Sequence, residues 1–392
     1  MTDASPIADL HAATADLDPP LAALDLSALR ANAADLVRRA RGVPIRVASK
    51  SVRCRAVLEE VLGQRFTGRG GFAGIMSYSL REALWLAGHG ARDILLGYPS
   101  VDRSALADLA ADATLLDSIT LMVDDVAQLD LIRAAVGGGG ISPRVCLDVD
   151  ASLRIGPLHL GVRRSPIRTP EQAERLARVA RERGFRVVGV MTYEAQIAGL
   201  PDTNPAVRLV KRLSAAEIGT RRAQVLEAVR SVAGELEIVN SGGSGSIEVS
   251  VAASEVTEVT AGSGLYVPTL FDGYRAFTPR PALYFALPVL RRPAAEIATV
   301  FAGGYIASGP AGASRVPKPV WPKGLRLIGT EGAGEVQTPF TGAADLAVGD
   351  RVWMRHAKAG ELCERFDAIH IVDADDRRTT VPTYRGEGRN FG

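Results

Sequence analysis

Strand-like and helix-like segments alternate without a break from about residue 26 to residue 260, and no other feature narrows the possible folds of this chain as far. A parallel pair of strands cannot be joined by a tight hairpin and needs a crossover, so regular alternation predicts a parallel α/β sheet. Apolar, β-branched runs predict strands at residues 45–49, 74–78, 93–96, 119–123, 144–149, 187–191, 237–239 and 256–259. Helical periodicity fills the gaps at 26–41, 55–62, 79–87, 170–183 and 211–233, with Ser27 and Asp124 as expected helix caps. Eight such strands in one series predict a closed (β/α)8 barrel, whose active-site groups gather at the carboxyl ends of the strands. An open doubly wound sheet is the alternative. It would carry its phosphate loop after the first strand, whereas the glycine-rich loops here come late in the chain.

Beyond residue 280 the texture changes to short β-like runs at 284–290, 297–301 and 326–329, separated by Gly and Pro, which predicts a smaller C-terminal all-β domain. The proline-rich stretch 308–324 reads as a loop. Residues 1–20 read as a loose lead-in, and 21–25 as a lone strand that joins the β-domain. The expected division is therefore 1–25, then a barrel over 26–279, then a β-domain over 280–392.

Composition excludes several function classes. Basic and acidic residues nearly balance at 46 and 44, and no basic block is interleaved with aromatics, so nothing points to nucleic acid. No apolar run approaches the ~18 residues needed to span a bilayer. The three cysteines are scattered without a Cys-x-x-Cys pair, which fits a reducing compartment. The first twenty residues lack Lys and Arg and so do not resemble a signal peptide, and a cytoplasmic location is expected.

Lys50 is one of five lysines and ends the run Pro44-Ile-Arg-Val-Ala-Ser-Lys50, which would deliver an amine to the rim of the barrel. An amine among apolar neighbours loses its preference for charge and can condense with an aldehyde such as pyridoxal phosphate. A phosphate cradle would then be needed. Ile238-Val-Asn-Ser-Gly-Gly-Ser-Gly-Ser246 and Val259-Thr-Ala-Gly-Ser-Gly-Leu265 are two strand ends rich in glycine and hydroxyls, able to turn backbone N–H groups toward one anion. Neither is a Walker loop or a dinucleotide fingerprint. Each alone reads equally well as an ordinary tight turn; the pair together with Lys50 points to a cofactor.

A strand-end lysine, a barrel, a Gly-Gly-Ser-Gly loop after the seventh strand and a β-domain together resemble the fold-type III pyridoxal phosphate enzymes, the alanine racemase-like group. The segments Ala83-Leu-Trp-Leu-Ala87 and Arg355-His-Ala-Lys-Ala-Gly-Glu361 are similar to its D-threonine aldolase and D-serine dehydratase branch, of the amino acid deaminase/aldolase type. The resemblance implies that Lys50 carries the cofactor and moves the substrate Cα proton. It implies that Arg154 lies near the cofactor's phenolic oxygen and Tyr193 beside its ring, and that Gln196 orients substrate. The phosphate would rest on Ser241, Gly243, Ser244, Gly245, Gly262 and Ser263. The expected reaction is retro-aldol cleavage of a 3-hydroxy amino acid of D configuration to glycine and an aldehyde. The alternatives are dehydration to a keto acid and ammonia, or racemisation, for which Tyr284 and Tyr305 are the available second bases. A non-catalytic cofactor carrier is disfavoured by the presence of residues 280–392.

In that branch a divalent metal sits on a histidine and on an Asp or Cys two positions later. Here His356 fits the first place and Lys358 the second, and an ammonium cannot ligate. Either another group, such as Glu361 or Cys363, completes a metal site, or Lys358 itself supplies a fixed positive charge to the β-oxygen. The other reading makes His356 a core histidine and Lys358 a solvated one. The resemblance also implies a homodimer acting on a small-molecule amino acid.

Overall fold

The computed structural model describes residues 6–137, 142–275, 277–278, 280–375 and 377–392. Eight parallel strands close into a barrel: Ile45–Ala48, Phe72–Ser77, Ile94–Leu96, Ile119–Val123, Arg144–Val149, Arg186–Thr192, Ile238–Ser241 and Glu258–Ala261. Closure occurs where Val259 to Ala261 pairs in register with Ile45 to Val47. Almost every residue of these strands is buried, as expected when side chains alternate between a filled interior and a helical jacket. Inside the barrel Leu95, Met122, Cys146, Val188, Met191 and Ile238 form one apolar cluster. Each large side chain of that kind contributes about 1.5–3 kcal/mol by leaving water. Arg46 also points inward and is held by Glu258 at 2.6 Å and Asp93 at 2.8 Å, so its buried charge is paired on both sides.

The local signals explain most of the helices. Asp25, rather than Ser27, caps Leu26–Ala40 by accepting from the Ala28 N–H, because the strand Leu21–Asp25 runs straight into the helix and leaves Asp25 at the turn. Likewise Asp125, not Asp124, caps Val126–Val136 and forms a capping box with Gln128. Helix Pro205–Ala233 starts six residues before the predicted 211, with Asn204 as cap and Pro205 in its first turn.

The second layer is a mainly antiparallel sheet in the order Arg326–Leu327, Gln337–Thr341, Ile297–Phe301, Leu283–Ala294, Leu21–Asp25, Ala368–Val372 and Arg378–Pro382. Leu21–Asp25 lies between Leu283–Ala294 and Ala368–Val372, pairing antiparallel with the first and parallel with the second. Two expectations fail here. The lead-in is not loose where it is described: Pro6–Ala13 is a helix whose Ile7 and Leu10 pack with Trp353 and Tyr284, while residues 1–5 lie outside the described residues. The proline-rich stretch contains a strand, Lys318–Trp321, which pairs with Arg351–Arg355 at an edge where proline's missing N–H is tolerated.

Candidate active site

Lys50 follows the first barrel strand in a single tight turn, Ser49–Ser51, and is thereby set at the carboxyl-terminal mouth. The Ser49 hydroxyl donates to the Met76 carbonyl at 3.0 Å, fixing the turn against the neighbouring strand. Lys50 Nζ donates to Tyr98 Oη at 2.5 Å. Tyr98 stands two residues past Ile94–Leu96. Burial works to raise the Tyr98 phenol's pKa, but the Lys50 charge, its hydrogen bond and Arg164 outweigh it and hold the phenol below its ordinary value. The Arg164 guanidinium lies 5.5 Å from the Tyr98 ring centre and 5.3 Å from that of Tyr193, which follows the sixth strand.

Two glycine loops form the opposite wall. Ser244 joins them: its Oγ accepts from Gly262 N at 3.2 Å and from Gly264 N at 3.0 Å. Among the described residues none accepts a hydrogen bond from the backbone N–H of Ser244, Gly245 or Ser263. A Cβ on Gly262 would meet the Ala48 carbonyl at 2.6 Å, and one on Gly243 would meet the Ala198 Cβ at 3.0 Å, so the loops close up only as glycine. The cleft has a cavity volume of about 90 Å³ and is lined by Lys50, Tyr98, Arg164, Tyr193, Ser244 and Ser263, among others. Unclaimed N–H groups, hydroxyls and one amine opposite them suit an anion-bearing aldehyde.

Lys50, Tyr193, Gly243, Ser244, Gly262 and Ser263 therefore share one cleft. Gly245 lies just behind it, where a Cβ would strike the Ala198 carbonyl and the Tyr274 ring, both at 2.5 Å. Ser241 faces away: its hydroxyl meets Glu194 and Arg222 within the fully buried wall. Arg154 does not reach the cleft. It sits on an outlying hairpin, Leu153–Ile155 with Leu158–Leu160, half exposed and paired to Asp150 at 2.7 Å, whereas Arg164 lines the cleft. Gln196 is likewise buried elsewhere, donating to the Ala151 carbonyl at 2.7 Å. Neither Tyr284, which donates to the Pro281 carbonyl, nor Tyr305 lines the cleft with Lys50.

A second, wider cleft of about 340 Å³ continues outward from Lys50, Tyr193 and Ser263 to Arg315, Lys358 and Glu361. His356 lies behind it, 3% exposed, with both ring nitrogens unpartnered. Burial, then Arg355, lower its pKa to about 3, so the imidazole is neutral. Orphaned nitrogens of that kind suit a ligand, but the other donors do not assemble around them. Cys363 is buried, its thiol pushed well up by burial and directed at the Val52 carbonyl, and Glu361 accepts from the Ser308 N–H. Among the described residues no three His, Cys, Asp or Glu side chains cluster closely enough to hold a metal. The donor set does not fit a divalent ion.

The residues that sequence reasoning missed are Tyr98, Arg164 and Glu194. Glu194 is fully buried and accepts from Ser250 Oγ at 2.6 Å, Ser241 Oγ at 3.1 Å, Ser246 Oγ at 3.2 Å and Gly242 N at 3.2 Å. Tyr98 and Glu194 each carried a usable signal, a polar side chain just past a barrel strand.

No curated protein matches the chain in sequence. Among solved structures it resembles D-threonine aldolase from Filomicrobium marinum, with a TM-score of 0.79 at 22% identity over 95% of this chain and 96% of that one. It also resembles D-threo-3-hydroxyaspartate dehydratase from Delftia sp. HT23, with a TM-score of 0.74 at 22% identity over 94% and 97%. The similarity to an alanine racemase of Clostridium difficile 630 is lower, with a TM-score of 0.65 at 15% identity over 94% and 99%. These likenesses establish the common fold. The family model for the alanine racemase N-terminal domain matches residues 24–269, well over half of the sequence and the whole of the barrel. With that match spanning both the lysine turn and the two glycine loops, the chain belongs to the alanine racemase-like, fold-type III pyridoxal phosphate enzymes.

Proposed function

We propose that this protein is a pyridoxal phosphate-dependent lyase that cleaves the Cα–Cβ bond of 3-hydroxy amino acids of D configuration, releasing glycine and an aldehyde. The observation that carries the reading is the meeting of the Lys50 amine with both glycine loops in one cleft at the barrel mouth. When bound there, the cofactor would supply an electron sink for the bonds at the substrate Cα. Lys50 would hold its aldehyde carbon and, once substrate has taken its place, move the proton at Cα. Backbone N–H groups of Ser244, Gly245 and Ser263 would receive the phosphate, Ser244 keeping the two loops at a fixed spacing. Tyr193 would face the ring and Tyr98 would keep the Lys50 amine oriented.

At the β-oxygen the wider cleft offers Lys358, whose ammonium supplies positive charge where a developing alkoxide would need it. The departing β-hydroxyl proton and the reprotonation of Cα balance the cleavage. Dehydration to a keto acid and ammonia is the second reading, favoured by the likeness to the hydroxyaspartate dehydratase. A homodimer and a cytoplasmic location remain part of the proposal; among the described residues no helix is long and apolar enough to cross a membrane.

Borohydride reduction of the holoenzyme tests the cofactor assignment. A phosphopyridoxyl group should become fixed to the peptide containing Lys50, and an unchanged peptide mass would reject it. Incubation with D- and L-3-hydroxy amino acids then separates the chemistries. Glycine plus aldehyde supports cleavage, keto acid plus ammonia supports dehydration, and the enantiomer alone would overturn both.

A further inference from the structure

His356 and Lys358 stand at the two places where the resemblance expects a metal's ligands, and both line a cavity of about 330 Å³ with Arg53, Glu361, Glu364 and Arg365. His356 presents both ring nitrogens without a partner. The other donors are engaged. Glu364 is taken by Arg53 at 2.5 Å, and the two oxygens of Glu361 accept the Ser308 N–H at 3.2 and 3.1 Å. The Cys363 thiol turns away to the Val52 carbonyl at 3.3 Å. A divalent ion on His356 would meet the Lys358 ammonium two positions on, a group with three N–H donors and no lone pair, with Arg53 and Arg365 in the same wall. Such ions need several nitrogen, oxygen or sulfur donors, and this wall adds positive charge instead.

Lys358 is also fixed in place. The turn that carries it, between strand Arg351–Arg355 and the turn Glu361–Glu364, is pressed onto the cofactor lysine's own turn. Gly360 has a φ of +89°, and a Cβ there would overlap the Lys50 carbonyl oxygen, so the two backbones touch. That carbonyl accepts from Arg53 Nε at 3.1 Å, and Arg53 in turn holds Glu364. Lys358 Nζ donates to Ser308 Oγ at 3.4 Å, and Glu361 holds the Ser308 backbone. Lys50 and Lys358 accordingly line one cleft at a set spacing. From this we infer that the lyase works without a divalent metal: the Lys358 ammonium, delivered by the β-domain and locked against the Lys50 turn, stands where a metal ion would stabilise the substrate's β-oxygen. The inference rests on the proposed cleavage, which develops negative charge on that oxygen.

The test starts from holoenzyme stripped of metal with EDTA and checked by elemental analysis. Its kcat/KM on a D-3-hydroxy amino acid should stay within about twofold of the untreated value, and added Mn²⁺ should not raise it. Loss of activity on stripping, restored by one equivalent of Mn²⁺, would overturn the inference and leave the lyase reading intact. Calorimetric titration of the stripped protein with Mn²⁺ reads the site without turnover. No binding tighter than about 1 mM is expected. Stoichiometric, micromolar binding that disappears in His356→Ala would overturn the inference. Lys358→Met should lower kcat about 100-fold with KM within about threefold, and Lys358→Arg should recover at least about tenfold of that loss, both with unchanged melting temperature. Unchanged kcat in Lys358→Met, or equal losses in the two variants, would show that the ammonium does not serve the β-oxygen. If the unmodified holoenzyme forms neither glycine nor aldehyde, the lyase reading fails, and the Mn²⁺ titration still decides whether the chain holds a metal.

Discussion

The contact between Lys50 and Tyr98 turns a strand-end lysine into an oriented one. A phenol whose pKa is held down by Lys50 and Arg164 is a strong acceptor for an ammonium, and hydrogen bonds to charged groups contribute about 1.5–3 kcal/mol net. Tyr98→Phe keeps the ring and removes only the hydroxyl. It should lower kcat/KM on the order of 10- to 100-fold while leaving the melting temperature within a few degrees. Unchanged kcat/KM would show that the hydroxyl does not orient the amine. Lys50, Tyr193 and the glycine–serine loops were legible in the sequence because each lies within a few residues of a barrel strand's carboxyl end, and a strand fixes where the next residue goes. Arg164 was not, because Arg154, Arg163 and Arg168 stand near it in the same segment between the fifth and sixth barrel strands. Nothing in their spacing tells which guanidinium enters the cleft. Asp150 decides part of it by holding Arg154 and Arg168 in ion pairs, a choice that depends on how the outlying hairpin folds back.

Between elements, the glycine loop after the seventh strand is held from below rather than by itself. Glu194 gathers three hydroxyls and the Gly242 N–H, while Arg222, from helix Pro205–Ala233, donates to Thr192 Oγ and Ser241 Oγ, both at 2.9 Å. Ser241, expected to touch the phosphate, instead forms part of this support because its side chain faces the surrounding helices. A carboxylate accepts at both oxygens, whereas an amide would set its NH₂ against donors. Glu194→Gln should therefore loosen the loop and raise the dissociation constant for pyridoxal phosphate about tenfold, roughly 1.4 kcal/mol. Pyridoxal without its phosphate should bind nearly as before. Equal weakening of both ligands would mean that Glu194 serves general stability and not the phosphate loop. The strands themselves were read to within about two residues from β-branched runs. The support beneath the loop was not, since its members lie up to 56 positions apart in the chain and meet only when the barrel closes.

At the level of the whole molecule, the barrel and the sheet are joined by more than the run of sheet strand Leu21–Asp25 into helix Leu26–Ala40. The segment after Arg378–Pro382 returns to the barrel, where Tyr384 is fully buried against Trp85 and donates to Glu82 Oε1 at 2.9 Å. The second oxygen of Glu82 accepts from the Tyr78 N–H at 2.8 Å, just beyond the second barrel strand. Burial raises the Glu82 pKa to about 7, against the hydrogen bonds from Tyr78 and Tyr384 and the charge of Arg53, which favour the anion. A carboxyl whose pKa is raised on folding keeps a proton in the folded state that the unfolded chain has already lost. Its contribution is complete below the ordinary value of 4.5 and declines as pH rises through about 7. The protein should thus lose stability between pH 5 and pH 8 with a slope on the order of 1 kcal/mol per pH unit where this group dominates. Glu82→Gln supplies a permanently neutral side chain that can accept from Tyr78 and donate to Tyr384, so it should flatten that slope and melt higher than the unmodified protein at pH 8. Parallel melting curves for the two proteins across this range would show that Glu82 is already ionised in the fold, and that the junction between barrel and sheet is held by a buried anion.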